Sequence, residues 1–431
     1  MRTPWRLPLL LSVCVALGQL LHLAPLVDAV AGAAPADVRL AYPAGHVLFA
    51  PLTLLADWLN GSPARELKGF VAWTLAVYGF WRLAARRRPG RSTIGRALRE
   101  LEAGALFLGA LALYAAWGAL LPRPIPRLVA ADPDVLVFDL HSHTAASHDG
   151  RAGFDAAATA AWHARAGFDA AFVTDHNTAG AIRAWRGDGR SGALLLPGIE
   201  LSLSGLHLLA LGTDREIPTA PYRGDWGATG RLVRALAAGD TAAPPTGRTA
   251  PAASSPGIDV TATPYLVASL PEYWQHHWGP DLDTLVAWGV RGFEVWTSSP
   301  RAMEVPPALR REMIARCLRD GLAVFAATDM HGLGYAASAW NVARVRGWRT
   351  LETGALGAVL VAKFRREGPA ADQVVVRRRW LPETAAQATV AVPLNLVLLL
   401  RTATPAHGAA LLGWIWIPAL LLSSRRRSPR S

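Results

Sequence analysis

The sequence predicts an α/β fold flanked by transmembrane helices. Between residues 123 and 382, short apolar runs of strand length alternate with helical segments, and no run is long enough to cross a membrane. Such alternation is typical of a parallel sheet or a barrel. Longer apolar runs lie on both sides, and 52% of the 431 residues are hydrophobic, which is high for a purely soluble protein. We therefore expect an α/β domain over residues 130–382 between two membrane regions.

The N-terminal membrane region covers residues 1–122. Its three predicted spans are residues 7–27, 69–85 and 103–122. The first follows Arg2 and Arg6 and fits either an uncleaved anchor or a secretory signal; we favour the anchor because the run is long for a signal. A fourth run, residues 46–59, contains Asp57 and is short, so it fits either an interfacial segment or a tilted helix.

Basic residues predict the orientation of these spans. Seven arginines lie between position 82 and position 99, and the tail SSRRRSPRS is also basic, so both should be cytoplasmic. The C-terminal membrane region, residues 383–431, then needs one return crossing, best placed at residues 409–422. A second crossing at residues 388–400 is the alternative. It would place either the α/β domain in the cytoplasm or the C-terminal tail outside it. We expect an integral protein of a bacterial inner membrane with its α/β domain on the extracytoplasmic side.

The net charge of +12 comes largely from arginine clusters close to the apolar segments. This distribution favours contact with anionic membrane lipids and argues against a stable nucleic-acid complex. The two cysteines, Cys14 and Cys317, provide no disulfide framework. No feature of the sequence identifies a protein partner.

The elements of the α/β domain are predicted from short apolar runs and helical periodicity. Predicted strands are residues 135–140, 170–174, 194–199, 206–211, 292–296 and 322–327, and predicted helices are residues 154–166, 282–288 and 307–319. Residues 240–257 are rich in Pro, Ala, Ser and Thr, and we expect a flexible insertion loop there.

The segment DLHSHTAASHDG, residues 139–150, follows the first of these strands directly. Residues two apart on a strand point to the same face, so His141 and His143 can direct two imidazoles at one point. One cation could then bind both histidines.

Further ionisable side chains follow the other predicted strands. The full set is His141, His143, Asp149, His176, Glu200, His207, Asp329 and His331. Because the carboxyl ends of parallel strands meet at one edge, these residues can converge although they are far apart in sequence. Histidines with carboxylates are ligands of Zn, Mn and Fe. Several such ions polarise a phosphoryl oxygen and activate water, so the predicted chemistry is phosphate-ester hydrolysis.

Four segments, DLHSHTAASHDG, FVTDHNT, PGIEL and TDMHG, closely resemble in order and separation the motifs of the PHP (polymerase and histidinol phosphatase) superfamily. The resemblance covers residues 135–345. It implies a distorted seven-stranded β/α barrel with two or three divalent ions (Mn, Fe or Zn) and phosphoesterase activity. All eight residues above would be metal ligands, with Glu200 bridging two ions and with Glu200, Asp329 and His331 central to catalysis by fixing the ions. Asp139 and Asp175 would orient ligands.

The chain departs from the family at one expected ligand. Members commonly carry a histidine before proline, and we assign Thr263, before Pro264, to that place, with His276 and His277 as possible substitutes. Glu294 is assigned no metal role. Because this expected histidine is missing, a non-catalytic binding or signalling module is the alternative to an enzyme. The substrate, a phosphorylated small molecule or nucleotide in the first place, is left open among nucleotides, sugar phosphates, oligonucleotide ends and lipid-linked phosphates.

Overall fold

A computed structural model describes residues 5–85, 93–185, 192–239, 263–269, 280–298, 302–333 and 336–425. The predicted loop at residues 240–257 lies outside these ranges. The strands are β1 (Leu26–Asp28), β2 (Val38–Ala41), β3 (Arg127–Ala130), β4 (Val135–Ser142), β5 (Ala170–Val173), β6 (Leu194–Leu203), β7 (Leu206–Leu211), β8 (Tyr265–Ser269), β9 (Gly292–Thr297), β10 (Ala323–Ala327), β11 (Ala339–Arg344) and β12 (Gln373–Arg377).

The α-helices of the described ranges fall into a membrane-type group and a group that surrounds the sheet. The helices are α1 (Arg6–Leu20), α2 (Ala44–Leu48), α3 (Ala50–Asn60), α4 (Ala64–Ala85), α5 (Thr93–Leu120), α6 (Ala156–Ala166), α7 (Gly180–Ala184), α8 (Trp226–Ala238), α9 (Leu282–Trp288), α10 (Pro307–Arg319), α11 (Thr353–Glu367), α12 (Ala385–Thr402) and α13 (Pro405–Arg425). The predicted strands and helices of the α/β domain are confirmed within a few residues at their ends.

A curled ten-stranded sheet forms the centre of the α/β domain, in the order β1-β12-β11-β4-β5-β6-β7-β8-β9-β10. The strands from β4 to β10 follow one another in sequence, and β11, β12 and β1 extend the sheet antiparallel to one another beyond β4. The sheet thus has ten strands where the family resemblance implies seven. Asn341 of β11 links its two sides, since its side-chain amide bonds both to Phe138 of β4 and to Ala326 of β10.

The inside of the curled sheet is filled by large apolar side chains. Phe138, Phe172 and Phe325 are fully buried there. Helix α11 closes this core because its Phe364 packs on Phe138 and Phe325, with ring centroids 5.7 Å and 4.9 Å apart. Burial of each such ring contributes roughly 1.5–3 kcal/mol. The packed core leaves polar side chains to collect at the carboxyl ends of the strands.

The first predicted span is longer than the helix that forms. Helix α1 ends at Leu20, and residues 26–28 instead pair with β12 as the edge strand β1. Pro25 lies just before β1, and a proline prevents continuation of a helix through that segment. Residues 46–59 form two short helices, α2 and α3, rather than one span.

Two of the described helices are long and apolar enough to cross a membrane, at Leu98–Leu120 and Pro405–Ser423. Two shorter apolar helices lie at Arg6–Leu20 and Ala386–Thr402. Length and composition alone therefore support fewer spans than the sequence predicts.

Candidate metal centre

The structure brings together all eight side chains that the sequence singles out. Their donor atoms form three groups within which the atoms lie no more than 4.8 Å apart: His143, Asp149, His176 and His331; His141, His143 and Asp329; and His176, Glu200 and His207. The first and second groups share His143, and the first and third share His176. The three groups therefore form one continuous centre, which lies at the end of the sheet where β4, β5 and β10 finish.

Glu200 lies at the middle of this centre, and its carboxylate is almost completely buried. Its Oε1 is 2.7 Å from Nδ1 of His207. Its Oε2 is 3.0 Å from Nε2 of His141 and 3.2 Å from Nε2 of His143. The two oxygens thus face different histidines, which is the arrangement expected of a carboxylate that bridges two ions.

Residue Glu294, on β9, orients His141. Its Oε1 lies 2.7 Å from Nδ1 of His141, and its Oε2 accepts a hydrogen bond from the Thr297 hydroxyl at 3.1 Å. A proton on Nδ1 leaves Nε2 free to bind a cation. From the sequence, Glu294 is expected to have no metal role, and a structural hydrogen bond is one of its two expected roles; its partner, His141, lies on another strand.

Asp329 and His331 reach the centre from the loop after β10. The backbone of Asp329 has φ of +51°, a left-handed conformation that is uncommon for residues other than glycine. Nδ1 of His331 donates to the Asp329 carbonyl at 2.8 Å, and its Nε2 is 3.1 Å from Oδ2 of Asp149. The loop therefore directs the free nitrogen of His331 toward Asp149.

Asp139 and Asp175 support the backbone of the centre and do not contact the ligating imidazole nitrogens. Oδ1 of Asp175 accepts from the Thr144 amide at 2.6 Å. Oδ1 of Asp139 accepts from the Thr328 amide at 3.1 Å, and its Oδ2 is 2.9 Å from Nε2 of His163. Their effect on the ligands is indirect, through the loops that follow β4 and β10. His163, on α6, was not foreseen from the sequence.

Burial and the carboxylates compete in setting the charge of the histidines. Burial lowers the pKa of His141, but Glu200, Glu294 and Asp329 outweigh it and raise the pKa well above its usual value. For His143 burial is likewise outweighed, by hydrogen bonds to Asp329 and Glu200, and the pKa rises to about 9. For His176 burial dominates and lowers the pKa to about 4. Positive charge on His141 and His143 therefore lies next to Glu200 and Asp329, and a bound cation can take the place of this charge.

The assignment of the missing ligand to Thr263 is wrong. Thr263 precedes β8, at the amino end of that strand, and its carbonyl accepts a hydrogen bond from Arg365. The residue of β8 that faces the centre is Ser269, whose hydroxyl lies 3.3 Å from Oε1 of Glu200. Pro264 comes just before β8, so using it as the marker assigns the ligand position to the amino end of the strand, whereas the carboxyl end faces the centre. The proposed substitutes, His276 and His277, lie outside the described residues.

The donor set fits metal ions by its chemistry. Five imidazoles and three carboxylates have their donor atoms turned inward, and Nε2 of His141 lies only 3.0 Å from Nε2 of His143. Two imidazole nitrogens that close to a shared carboxylate are placed as ligands of a cation. Fold and site define an α/β protein with a candidate metal centre.

No protein-family profile and no curated protein sequence matches the chain. Among solved structures, a Bifidobacterium adolescentis protein that bears the name metal-dependent phosphoesterase is 21% identical, with a TM-score of 0.30, over 46% of this chain and 88% of its own. An amidohydrolase from Chromobacterium violaceum with bound sulfate is 19% identical, with a TM-score of 0.28, over 45% and 87%. PsfC from Pseudomonas syringae is 17% identical, with a TM-score of 0.36, over 62% and 98%. Likeness at this level assigns neither a family nor an activity.

Proposed function

We propose that the chain is a metal-dependent phosphoesterase with a barrel of PHP type. The observation that carries this proposal is the position of Glu200, whose two oxygens face different histidine groups. Two positive charges held close together favour hydrolysis of a phosphate ester, because charge develops on several oxygens of the transferred group. Glu200 offers one oxygen to each of two such positions.

The residues of the centre divide into those that hold ions and those that orient them. His141, His143 and Asp329 would hold one ion, and the groups that contain His176 would hold one or two more. When bound, Mn, Fe or Zn would supply the positive charge that polarises a phosphoryl oxygen and lowers the pKa of water. Glu294 keeps His141 in the tautomer that leaves Nε2 free.

We also propose that the protein is an integral membrane protein whose α/β domain lies outside the cytoplasm. Helices α1, α4, α5 and α13 each have one end near the domain, and the sequence places basic residues at their other ends: Arg6, residues 86–88, Arg91, and residues 425–427. Positive charge marks the cytoplasmic side. We expect these basic residues to face the cytoplasm.

Helix α12 does not act as a second return crossing in this proposal. It begins beside α10, where Glu383 pairs with Arg311 at 2.8 Å, and it ends where the Arg401 carbonyl accepts from the Leu23 amide at 2.9 Å. Both of its ends therefore lie against the α/β domain or the segment that leads into β1. A single crossing by α13 agrees with the orientation.

The test is hydrolysis of p-nitrophenyl phosphate and bis-p-nitrophenyl phosphate by the purified full chain, loaded in turn with Mn, Fe or Zn. We expect hydrolysis of at least one ester, loss of activity on chelation, and at least two ions per chain. Glu200→Gln and Asp329→Asn should each lower kcat by about 100-fold or more, since each removes a charge from the ion-binding groups. Full activity in either variant contradicts the proposal. Absence of bound metal and of hydrolysis would support the alternative, a non-catalytic binding module.

A further inference from the structure

The end of the sheet that carries the metal centre is also the end to which the membrane-type helices are attached. Strands β4 and β12 run in the same direction, because both are antiparallel to β11. Arg377, the last residue of β12, therefore lies at the same end as Ser142, the last residue of β4. Leu26, the first residue of β1, pairs with Arg377. The chain thus enters from α1 and leaves toward α12 at the end where the histidines lie.

Buried polar contacts fix the helices to this end. The Arg379 guanidinium donates to the Trp58 carbonyl of α3 at 3.1 Å and pairs with Glu66 of α4 at 2.9 Å. The side chains of Arg379 and Glu66 are only 8% and 0% exposed. Glu304, which follows β9, accepts from the Arg65 amide at 3.2 Å. These contacts hold the segments that follow β9 and β12 against helices α3 and α4.

The apolar helix α5 ends directly beside the metal centre. The Arg151 guanidinium donates to the carbonyl of Leu120, the last residue of α5, at 3.0 Å. The Arg151 amide donates to the His331 carbonyl at 3.0 Å, and Arg151 is two residues from Asp149. One arginine thus joins the end of the helix to the two candidate ligands at the rim of the centre.

The rim of the centre is exposed to solvent, whereas its middle is buried. The Asp149 side chain is 41% exposed, whereas the Glu200 side chain is 1% exposed. Next to this rim, Leu120 and Leu121 are 44% and 51% exposed. Exposed leucines at the end of an apolar helix of spanning length are placed at the boundary between lipid and water. Leu120 and Leu121 thus place exposed apolar surface beside the open side of the centre.

We infer that the substrate is a lipid-borne phosphate ester, with its phosphoryl group at the metal centre and its acyl or prenyl chain held in the outer leaflet beside the end of α5. This inference rests on the proposed phosphoesterase activity and on the proposed membrane orientation. A free sugar phosphate or nucleotide would gain nothing from exposed apolar side chains beside the centre. A lipid is delivered there by diffusion in the membrane and keeps its chain out of water throughout.

The experiment uses the full chain with Mn in phosphatidylcholine nanodiscs. Dioleoyl phosphatidate and dioleoyl phosphatidylglycerol, incorporated in the discs, are compared with their dihexanoyl counterparts in free solution at equal bulk phosphate. We expect at least one dioleoyl lipid to be hydrolysed at least about tenfold faster than its short-chain counterpart, because the chain positions the ester at the rim. Equal or slower hydrolysis of both dioleoyl lipids overturns the inference.

Soluble p-nitrophenyl phosphate separates failure of this inference from failure of the proposed function. If this ester is hydrolysed and neither dioleoyl lipid is preferred, only the lipid inference is wrong. If no ester of any kind is hydrolysed under any metal, the proposed function itself is wrong and the lipid inference falls with it.

A pair of leucine variants tests the position of the lipid. The quantity measured is the ratio of the dioleoyl-lipid rate to the p-nitrophenyl phosphate rate, which removes any general loss of active protein. Leu121→Glu should lower this ratio at least about tenfold, because a carboxylate at the lipid boundary repels both the chain and the phosphate. Leu318→Glu is the matched control, since Leu318 is 43% exposed on the outer helix α10. An unchanged ratio in Leu121→Glu overturns the inference.

Discussion

Nδ1 of His141 lies 2.7 Å from Oε1 of Glu294, and both side chains are buried. This contact places a proton on Nδ1 of His141, so the nitrogen that faces the candidate metal centre depends on a residue of another strand. A carboxylate that holds the ring of a histidine ligand in this way orients the ligand and raises its basicity.

Glu294→Ala should therefore weaken metal binding by about 10- to 100-fold without removing a ligand. Glu294→Gln should weaken it less, because the amide oxygen can still accept from Nδ1. The measurement is the Kd for Mn by competition with a chelating dye. Equal Kd values for the wild type and Glu294→Ala would show that the contact does not orient the ligand.

Ser269 and Thr263 lie at opposite ends of the same segment and offer a matched comparison. Ser269→Ala removes a hydroxyl 3.3 Å from Glu200 and should lower metal affinity by several-fold. Thr263→Ala should leave metal affinity unchanged, because Thr263 lies at the amino end of β8. Metal content after dialysis against a weak chelator distinguishes the two positions. A larger loss in Thr263→Ala would contradict the placement of the strand.

Asp372 should make the stability of the α/β domain depend on pH. Among the residues that the structure describes, neither of its two buried carboxylate oxygens has a hydrogen-bond partner. Burial and the nearby charge of Asp28 raise the pKa of Asp372 well above its usual value, and Lys363 offsets this in part. The folded protein thus holds this proton more strongly than the unfolded chain, so the free energy of unfolding falls as pH rises above about 4.

Asp372→Asn removes this cost and should raise Tm by a few degrees, about 2–4 °C per kcal/mol, at pH 8. The gain should vanish near pH 3.5, where the wild-type carboxyl is protonated in both states. Asp37→Asn, at an exposed site, serves as control and should change Tm little. A gain in Tm that is the same at both pH values would exclude an ionised buried carboxylate as its cause.

The buried pair of Arg379 and Glu66 should make a large contribution to the contact between the domain and the helices. Arg379→Ala leaves the fully buried Glu66 carboxylate without its cation and should cost about 3–5 kcal/mol. Arg366→Ala breaks an exposed pair with Glu367 and should cost about 0–1 kcal/mol. Adding Glu66→Gln to Arg379→Ala should recover part of the loss, because it removes the unpaired charge. The urea midpoint of the purified protein measures each change, and equal effects of the two arginine substitutions would contradict the prediction.

The sequence alone determined the α/β class and indicated the eight side chains that converge in the candidate centre. Strands of four to ten residues have short, almost continuous apolar runs when both faces are buried, so β4, β5 and β6 were visible as local patterns. Seven of the eight candidate donor residues follow or lie on such a strand, and the carboxyl ends of parallel strands meet in space. His207 is the exception, because it lies at the amino end of β7, which runs antiparallel to β6 and β8.

Only the tertiary structure decided which residues orient the ligands and which end of β8 faces the centre. Glu294 and Ser269 act through contacts to His141 and Glu200 that span more than sixty positions, and no local pattern encodes such a pairing. The structure also decided that residues 26–28 form a sheet edge, because their hydrogen-bond partners lie in β12, near the other end of the chain. Local periodicity reports burial and direction along one segment, whereas the partners of a side chain depend on how distant segments pack.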